Sequence, residues 1–555
     1  MNLPGDPRRA AVIGALFAAF ATLPALGGGT LWDNSETAYG EVAREVLLTH
    51  DWLVMHLNGD AWFVQPPLYF WIAALFAKIF GVGAFALRLP SALATIATGG
   101  VVGYAAARHL GTRTGMYAAI VLSTSLMQAV VGRLAIMDAL LDVLIACGIL
   151  FWFRALEPAR ALIGRDDGQR RLAFLAGTAA IALGTLAKGP VAPAVVLMVI
   201  AVWLAWEWRH RAGVVWPRRR TIALALAVFV VIAAPWFVLL AVRMGPNALV
   251  ELIGHYTVGR YTGVIENQRG PWWYYFPVLV LGFFPWIAFL PFAAARIVRD
   301  AREDTGAFVR LAIVWAVIPL VFFSFAQTKL PNYIALELPA LAIIVAQWFD
   351  RVSEGRDRAA AIISAAVVPL TVGCIALAIG IFGRQNKLPV EALSAQLLTL
   401  GIGMLVGSLA TVVAFARAPW RAAAPYVLSA TSIGLMLFIA FIAEPAAEAF
   451  KPIPEFARII NAQRKPGDIV AIRDVAGSNA LAFYTAPGIK TIDADREQSF
   501  VSIICPTGTS FVVTRRTDLN ALTTLATKLQ RTATILDTKG RATLLRINGK
   551  DCPHD

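Results

Sequence analysis

The chain is short of charge. Only 15% of its 555 residues are Asp, Glu, Lys or Arg, where a soluble globular chain carries about 25%. With 58% hydrophobic residues and a mean hydropathy of +0.66, this excludes a soluble multidomain enzyme and a disordered chain. Cysteine is scarce as well. The four present are Cys147, Cys374, Cys505 and Cys552, with no C-x-x-C pair. A disulfide-rich scaffold and a zinc or redox motif are therefore excluded. No glycine-rich nucleotide loop is evident, and no internal repeat of the kind inverted-repeat transporters carry. Acidic residues number 35 against 49 basic ones, a net charge of +14. That excess does not indicate a nucleic-acid partner. The arginines are scattered through short loops between apolar runs rather than gathered on one polar face, a pattern that orients membrane proteins.

What the sequence has instead is long apolar runs. About twenty such residues cross a bilayer. Thirteen stretches qualify, near 10–28, 88–108, 115–132, 137–154, 172–187, 189–208, 221–242, 272–294, 308–326, 333–349, 359–383, 395–416 and 424–443. The first is not read as a cleaved signal peptide, because it lacks a clean small-residue cleavage site and more spans follow. Placing Arg8 and Arg9 inside puts at least two basic residues in every inner loop. The short outer loops then carry one or two each, so an inner N-terminus and an outer C-terminus are self-consistent. Two outer segments are long, 29–87 and 243–271. The first holds an amphipathic stretch from Ala38 to Leu48 and a half-apolar run, Leu68 to Phe80, expected as an interfacial helix.

Residues 446–555 change character. Short β-like runs, Asp468–Ile472, Gly488–Ile492, Ser510–Thr514, Ala533–Leu536 and Ala542–Ile547, are separated by helical runs such as Ile453–Ala462 and Leu519–Leu529. The expectation is an all-α polytopic domain over 1–445 and a small extracytoplasmic α/β domain over 446–555. Cys505 and Cys552 fall in the latter, as a disulfide or as two free thiols.

Charges at a membrane edge are costly, so they mark functional candidates. Here they gather on the expected outer side: Asp33, Glu36, Arg88, Arg133, Asp138, Lys188, His255, Arg260, Glu266, Arg269 and Lys329. The inner side has no comparable set. That asymmetry points to a binder or enzyme facing outward at the membrane surface. In L-W-D-N-S-E-T-A-Y (31–39), Asp33 or Ser35 fits a helix N-cap with Glu36 in the first turn. The alternative is that one carboxylate is a catalytic base. Pro66 and Pro67 fix an extended lead into the interfacial run. The aromatic clusters 270–277 and 283–286 fit an interfacial belt, and lone lysines fit snorkelling side chains.

Taken in order, the segments say more. D-N-S-E-T-A-Y-G-E-V-A-R-E (33–45), D-W-L-V-x-H-L-N-G (51–59), P-P-L-Y-F-W (66–71), I-M-D (136–138), L-A-K-G-P (186–190), P-W-W-Y-Y-F-P (271–277) and K-L-P-N-Y (329–333) follow one another. In this the run from about 31 to 350 resembles the bacterial glycosyltransferase family of the aminoarabinose-to-lipid A transferases, and more distantly the protein O-mannosyltransferases. The last third matches no motif. The resemblance implies a GT-C fold of about thirteen transmembrane helices in the bacterial inner membrane. It implies a sugar transferred, with inversion, from a polyprenyl-phosphate donor, usually undecaprenyl phosphate, to a glycolipid, glycan or protein acceptor on the outer face. No nucleotide loop is then required, because the sugar is already activated.

Residue by residue, the resemblance makes Asp33 the preferred catalytic acid group and Glu36 the second. That first-loop pattern is often D-P-D-E, and Ser35 replaces its second Asp. Asp138 matches the Asp after the third span and completes the catalytic set. Arg133, Lys188, Arg260, Arg269, Lys329 and Tyr333 are expected around the donor phosphate. Two departures stand out. The aminoarabinose transferases usually read F-E-K-P-P where this chain has F-V-Q-P-P, so Val64 and Gln65 replace an acid and a base; and a frequent His is here Gln268. In the family the lost groups are a metal ligand and a phosphate contact. The expectation is therefore no metal or other cofactor, and a sugar or acceptor other than that of aminoarabinose transfer. The alternative function is a multispan lipid or sugar transporter or flippase, which would need a mid-membrane site reachable from both sides.

Overall fold

In the computed structural model the described residues are 6–157, 167–210, 213–265, 268–300, 306–385, 394–475, 477–487, 490–494, 497–506 and 508–549. They fold as two compact units. The first comprises 1–26, 63–69 and 88–442, the second 27–62, 70–87 and 443–555. The first long outer segment thus belongs mostly with the C-terminal residues and not with the membrane helices, a grouping the sequence expectation of 1–445 and 446–555 did not contain.

The membrane unit is helical because its apolar runs leave the backbone no other way to satisfy its own polar groups in lipid. Among the described residues, ten helices are long and apolar enough to cross a bilayer. Two bent pairs join them: Thr112–Ser123 with Leu126–Arg133 at 59°, and Tyr275–Gly282 with Trp286–Arg299 at 107°. The helix Pro7–Thr22, only 16 residues long, is the remaining candidate among the thirteen expected stretches. The second bend alters the reading of 272–294: its two halves do not form one straight crossing. Buried Trp203, Trp286, Trp315 and Phe289 anchor the core of this unit. By contrast Arg219–Met244 and Ala395–Ala416 each bury only 17% of their most apolar window. Apolar faces of that kind suit contact with lipid tails.

In the second unit, the segment around the first long loop forms the helix Asp33–Thr49. The half-apolar run is the helix Leu68–Phe80, which belongs to this unit from Phe70 on. The C-terminal sheet has five strands in the spatial order Thr491–Asp493, Ile469–Ile472, Gly508–Arg515, Ala542–Gly549, Thr532–Lys539. The first two junctions are parallel and the others antiparallel. Successive side chains of a strand point to opposite faces. Phe511 and Val513 accordingly pack with Ile453, Phe456 and Ile460, while Val512 packs with Phe500, Ile503 and Ile504. Each of the five expected runs holds a strand; of Gly488–Ile492, residues 488 and 489 lie outside the described residues and the strand is Thr491–Asp493. The helices Ser478–Tyr484 and Glu497–Ile504 were not expected, because each is too short to show a clear period. Cys505 is disulfide-bonded, whereas Cys147 and Cys374 are free. Cys552 lies outside the described residues.

The helix Asp33–Thr49 is fastened to the rest of its unit by Arg44. Its guanidinium donates to the backbone carbonyls of Ala482 (3.0 Å), Phe483 (2.8 Å) and Thr485 (3.3 Å). These are carbonyls at the C-terminal end of the helix Ser478–Tyr484, where such acceptors have no intrahelical donor and where a cation is favoured. The same side chain pairs with Glu41 at 2.6 Å. The E-V-A-R-E part of the first motif is therefore an intramolecular fastening.

Candidate functional site

Within the membrane unit, the local sequence explains where each side chain is placed. The helix Asp167–Lys188 ends at Gly189, whose φ of +65° is the left-handed conformation glycine adopts readily. Its N–H donates to Thr185 O at 2.8 Å, a helix-closing bond. Pro190 then precedes the helix Val191–Arg209. The L-A-K-G-P motif is thus a tight turn that leaves Lys188 at a helix C-terminus. Asp138 opens the helix Asp138–Leu156. Each charge sits at the helix end its sign prefers. They meet there: Lys188 Nζ is 2.5 Å from Asp138 Oδ1.

The same ammonium lies 5.1 Å from the centre of the Tyr333 ring. Tyr333 belongs to the 3-10 turn Pro331–Glu337, which Pro331 starts. Its ring packs against Phe323 at 4.8 Å. Lys329 lies two residues before that turn. Its Nζ donates to the carbonyls of Ser324 (2.7 Å), Ala326 (2.8 Å) and Phe323 (3.4 Å), at the end of the helix Ala307–Phe325. All three ammonium hydrogens have acceptors in that arrangement.

The loop before P-W-W-Y-Y is stitched to the segment carrying Lys329. Thr328, fully buried, donates through Oγ1 to Gly263 O at 2.9 Å and accepts the N–H of Ile265 at 3.0 Å. The N–H of Thr328 donates to Arg260 O, and the N–H of Lys329 to Gln268 O. Arg269 and Thr328 face each other in an antiparallel bridge. This brings Arg260 and Arg269 beside Lys329. Arg260 Nη1 is 3.4 Å from Gln268 Oε1, so the glutamine at the position of the frequent His serves the arginine. Arg269 is exposed and makes no ion pair among the described residues.

Arg133 is 6% exposed, and its Nη1 donates to Thr22 O (3.0 Å) and Pro24 O (2.7 Å), at and just past the end of the helix Pro7–Thr22. These bonds hold the end of that first helix. In the second unit, Glu36 is 1% exposed and its Oε2 accepts the backbone N–H of Trp32, which caps the helix Asp33–Thr49. Glu36 thus reaches back from the first turn to the residue before the helix, as a first-turn acid does in a capping box. Asp33 is the first residue of that helix, and its side chain lies outside the described residues.

Sequence reasoning missed three polar groups of the membrane unit. Asp142, one turn beyond Asp138, is 1% exposed and accepts from Gln128 Nε2 at 3.1 Å. Glu337 is fully buried, and neither of its carboxyl oxygens meets a donor among the described residues. Thr328 is the third. Carboxylates inside apolar runs were the available signal for the first two; nothing in the sequence marks Thr328. Among the described residues no group of three His, Cys, Asp or Glu side chains is placed to hold a metal ion.

Comparison with known proteins agrees with this frame. Residues 64–238 match the family model of dolichyl-phosphate-mannose-protein mannosyltransferase. An undecaprenyl phosphate-alpha-4-amino-4-deoxy-L-arabinose arabinosyl transferase of Erwinia tasmaniensis is 31% identical over 340 residues, which are 61% of this chain and 59% of that protein. The chain therefore spans less than two thirds of the length of that relative. A transferase of the same description from Pseudomonas fluorescens is 26% identical over 97% of this chain and 93% of its own length. The crystal structure of ArnT from Cupriavidus metallidurans bound to undecaprenyl phosphate superposes with a TM-score of 0.76 at 23% identity, over 96% of this chain and 97% of that one. The chain thus has the GT-C fold of that crystal structure, and its sequence is similar to the arabinosyl transferases and, over residues 64–238, to the protein mannosyltransferases.

Proposed function

We propose that the chain is an integral-membrane glycosyltransferase. It moves a sugar from a polyprenyl-phosphate donor, undecaprenyl phosphate by preference, to a glycolipid such as lipid A, a glycan or a protein. The observation that carries this reading is the Asp138–Lys188 pair beside Tyr333, continuous through Phe323 with the Arg260, Arg269 and Lys329 segment. A cluster of cations at the ends of apolar helices suits a lipid's phosphate, and the relatives named for undecaprenyl-phosphate chemistry support the same donor.

The bond changes are simple. The acceptor oxygen forms a bond to the anomeric carbon as that carbon's bond to the phosphate oxygen breaks. A single displacement inverts the centre. The acceptor proton passes to a carboxylate, Asp33 by preference, since Glu36 already accepts the Trp32 N–H. The phosphate leaves with an added negative charge, which Lys188, Arg260 and Arg269 stabilise. Asp138 holds the Lys188 ammonium in place. Arg133 and Lys329, whose donors serve helix ends, add positive potential without direct ligation.

Val64, Gln65 and Gln268 support a donor sugar or acceptor other than the pair used in aminoarabinose transfer, and transfer without a metal at that position. The basic loops support an inner-membrane location with the N-terminus in the cytoplasm and the C-terminal residues in the periplasm. The test is reconstitution in vesicles with a labelled undecaprenyl-phosphate sugar, reading freed undecaprenyl phosphate and the anomeric configuration of the product. Asp33→Asn should lower transfer by about 10²–10⁴-fold, the usual worth of a general base. Labelled lipid crossing the bilayer with its sugar still attached would make the protein a transporter. Unchanged transfer in Asp33→Asn, with loss in Glu36→Gln, would move the base to Glu36.

A further inference from the structure

A second charged feature lies at the other end of the same helices. The helix Ala307–Phe325 has 19 residues, about 28 Å of rise. Lys329 follows its C-terminus, and the helix Leu290–Asp300 precedes its N-terminus. The helix Leu338–Ser353 also runs from the Tyr333 end towards Trp348. At that far end there is a cavity of about 150 Å³ lined by Phe292, Arg296, Arg299, Trp348 and Asp357. We propose that this cavity binds the headgroup of an anionic phospholipid from the membrane leaflet opposite the candidate transfer site.

Arg296 and Arg299 are three residues apart on one helix, so both reach the same face. Planar guanidinium forks match phosphate oxygens two at a time. The two guanidinium groups of the lining outnumber its one carboxylate, Asp357, which Arg351 also approaches at 3.5 Å. Arg299 is exposed and has no ion pair among the described residues. The cavity is thus net positive, which selects a headgroup whose phosphodiester charge no amine offsets. Its apolar wall is Trp348 with Phe292, stacked at 6.4 Å and 13° between planes.

The helix itself is built for an interface. The segment Trp286–Arg299 turns by 107° from the helix Tyr275–Gly282 and so does not continue that helix's direction. Phe292 and Val298 remain 41% and 47% exposed on a helix that also carries the arginines. Exposed apolar side chains beside basic ones on a turned helix fit the boundary between acyl chains and headgroups. The cavity opens outward, so a phosphodiester can enter it with its glycerol at the mouth. The site is independent of the transfer reaction, so its test reads binding.

The full chain, purified in detergent, is titrated with phosphatidylglycerol and separately with phosphatidylcholine at equal mole fraction. Bound lipid is counted by native mass spectrometry. The wild-type protein should prefer phosphatidylglycerol by about tenfold or more. Arg296→Gln with Arg299→Gln should bring the two lipids to parity, and Arg299→Glu, at an exposed position, should do so alone. Arg219→Gln with Arg220→Gln removes two exposed arginines that do not line the cavity and should leave the preference intact. An equal loss in that control pair, or an unchanged preference in the cavity variants, would overturn the proposal. So would displacement of phosphatidylglycerol by inorganic phosphate alone, which would make the cavity a site for a free anion.

Discussion

Two ion pairs of the membrane unit, one at each end of its helices, look alike in composition and differ in every property that matters. Glu207 and Arg310 join the last turn of Val191–Arg209 to the first turn of Ala307–Phe325. Their side chains are 0% and 1% exposed. The guanidinium grips both carboxylate oxygens, at 2.5 and 2.8 Å. Asp138 and Lys188 are 9% and 13% exposed. One Asp138 oxygen receives one hydrogen of an ammonium that has two more, and an aromatic face lies beside it. A pair closed on itself holds helices together. A pair with hydrogens left over at a helix end can receive a ligand.

The largest expected effect separates these roles outright. Lys188→Met should lower sugar transfer by about 10²-fold or more, the scale of one lost charge-stabilising donor, while the melting temperature in detergent falls less than in Glu207→Gln. Asp138→Asn combined with it should cost much less than the product of the single effects, because the two side chains act as one unit. Full additivity would break the comparison. Glu207→Gln should do the reverse. It leaves a buried guanidinium without its counter-charge, a loss of about 3–5 kcal/mol, visible as a lower melting temperature with unchanged turnover per folded molecule.

A smaller effect should follow pH in the second unit, outside the membrane spans. Burial, with a further push from Glu45, raises the Glu41 carboxyl from its ordinary 4.5 to about 7 against the pull of Arg44. The folded unit therefore binds that proton more tightly than the unfolded chain. The stability this contributes is complete below about pH 4.5 and is lost as pH rises through about 7. Hydrogen exchange over 33–49 and 478–485 should quicken across that window in the wild type. In Glu41→Gln the dependence should flatten; an equal slope there would assign it to another group. Smallest of all, Lys329→Met should cost about 1–2 kcal/mol through lost helix-end bonds. A loss of transfer as large as that of Lys188→Met would return Lys329 to the phosphate.

Legibility in the sequence followed the range of the interaction. The apolar runs and the five C-terminal strands were readable because burial repeats at helical or strand period within a few residues. The turn at Lys188–Gly189–Pro190 was readable for the same reason. Thr328 was not, since its two partners, Gly263 and Ile265, are more than sixty residues away. Nor was the role of Arg44, whose acceptors begin at Ala482.

By itself the sequence determined that this is a many-span membrane protein with a small α/β domain, and which polar residues stand at helix ends. Bilayer thickness and backbone hydrogen bonding leave a chain of this composition no other course. Only the tertiary structure decided which of those residues have hydrogens to spare. Every helix C-terminus offers carbonyls without donors, and they compete with any ligand for the nearest cation. Arg133, Lys329 and Arg44 are spent on them, whereas Lys188, among the described residues, keeps hydrogens beyond its bond to Asp138.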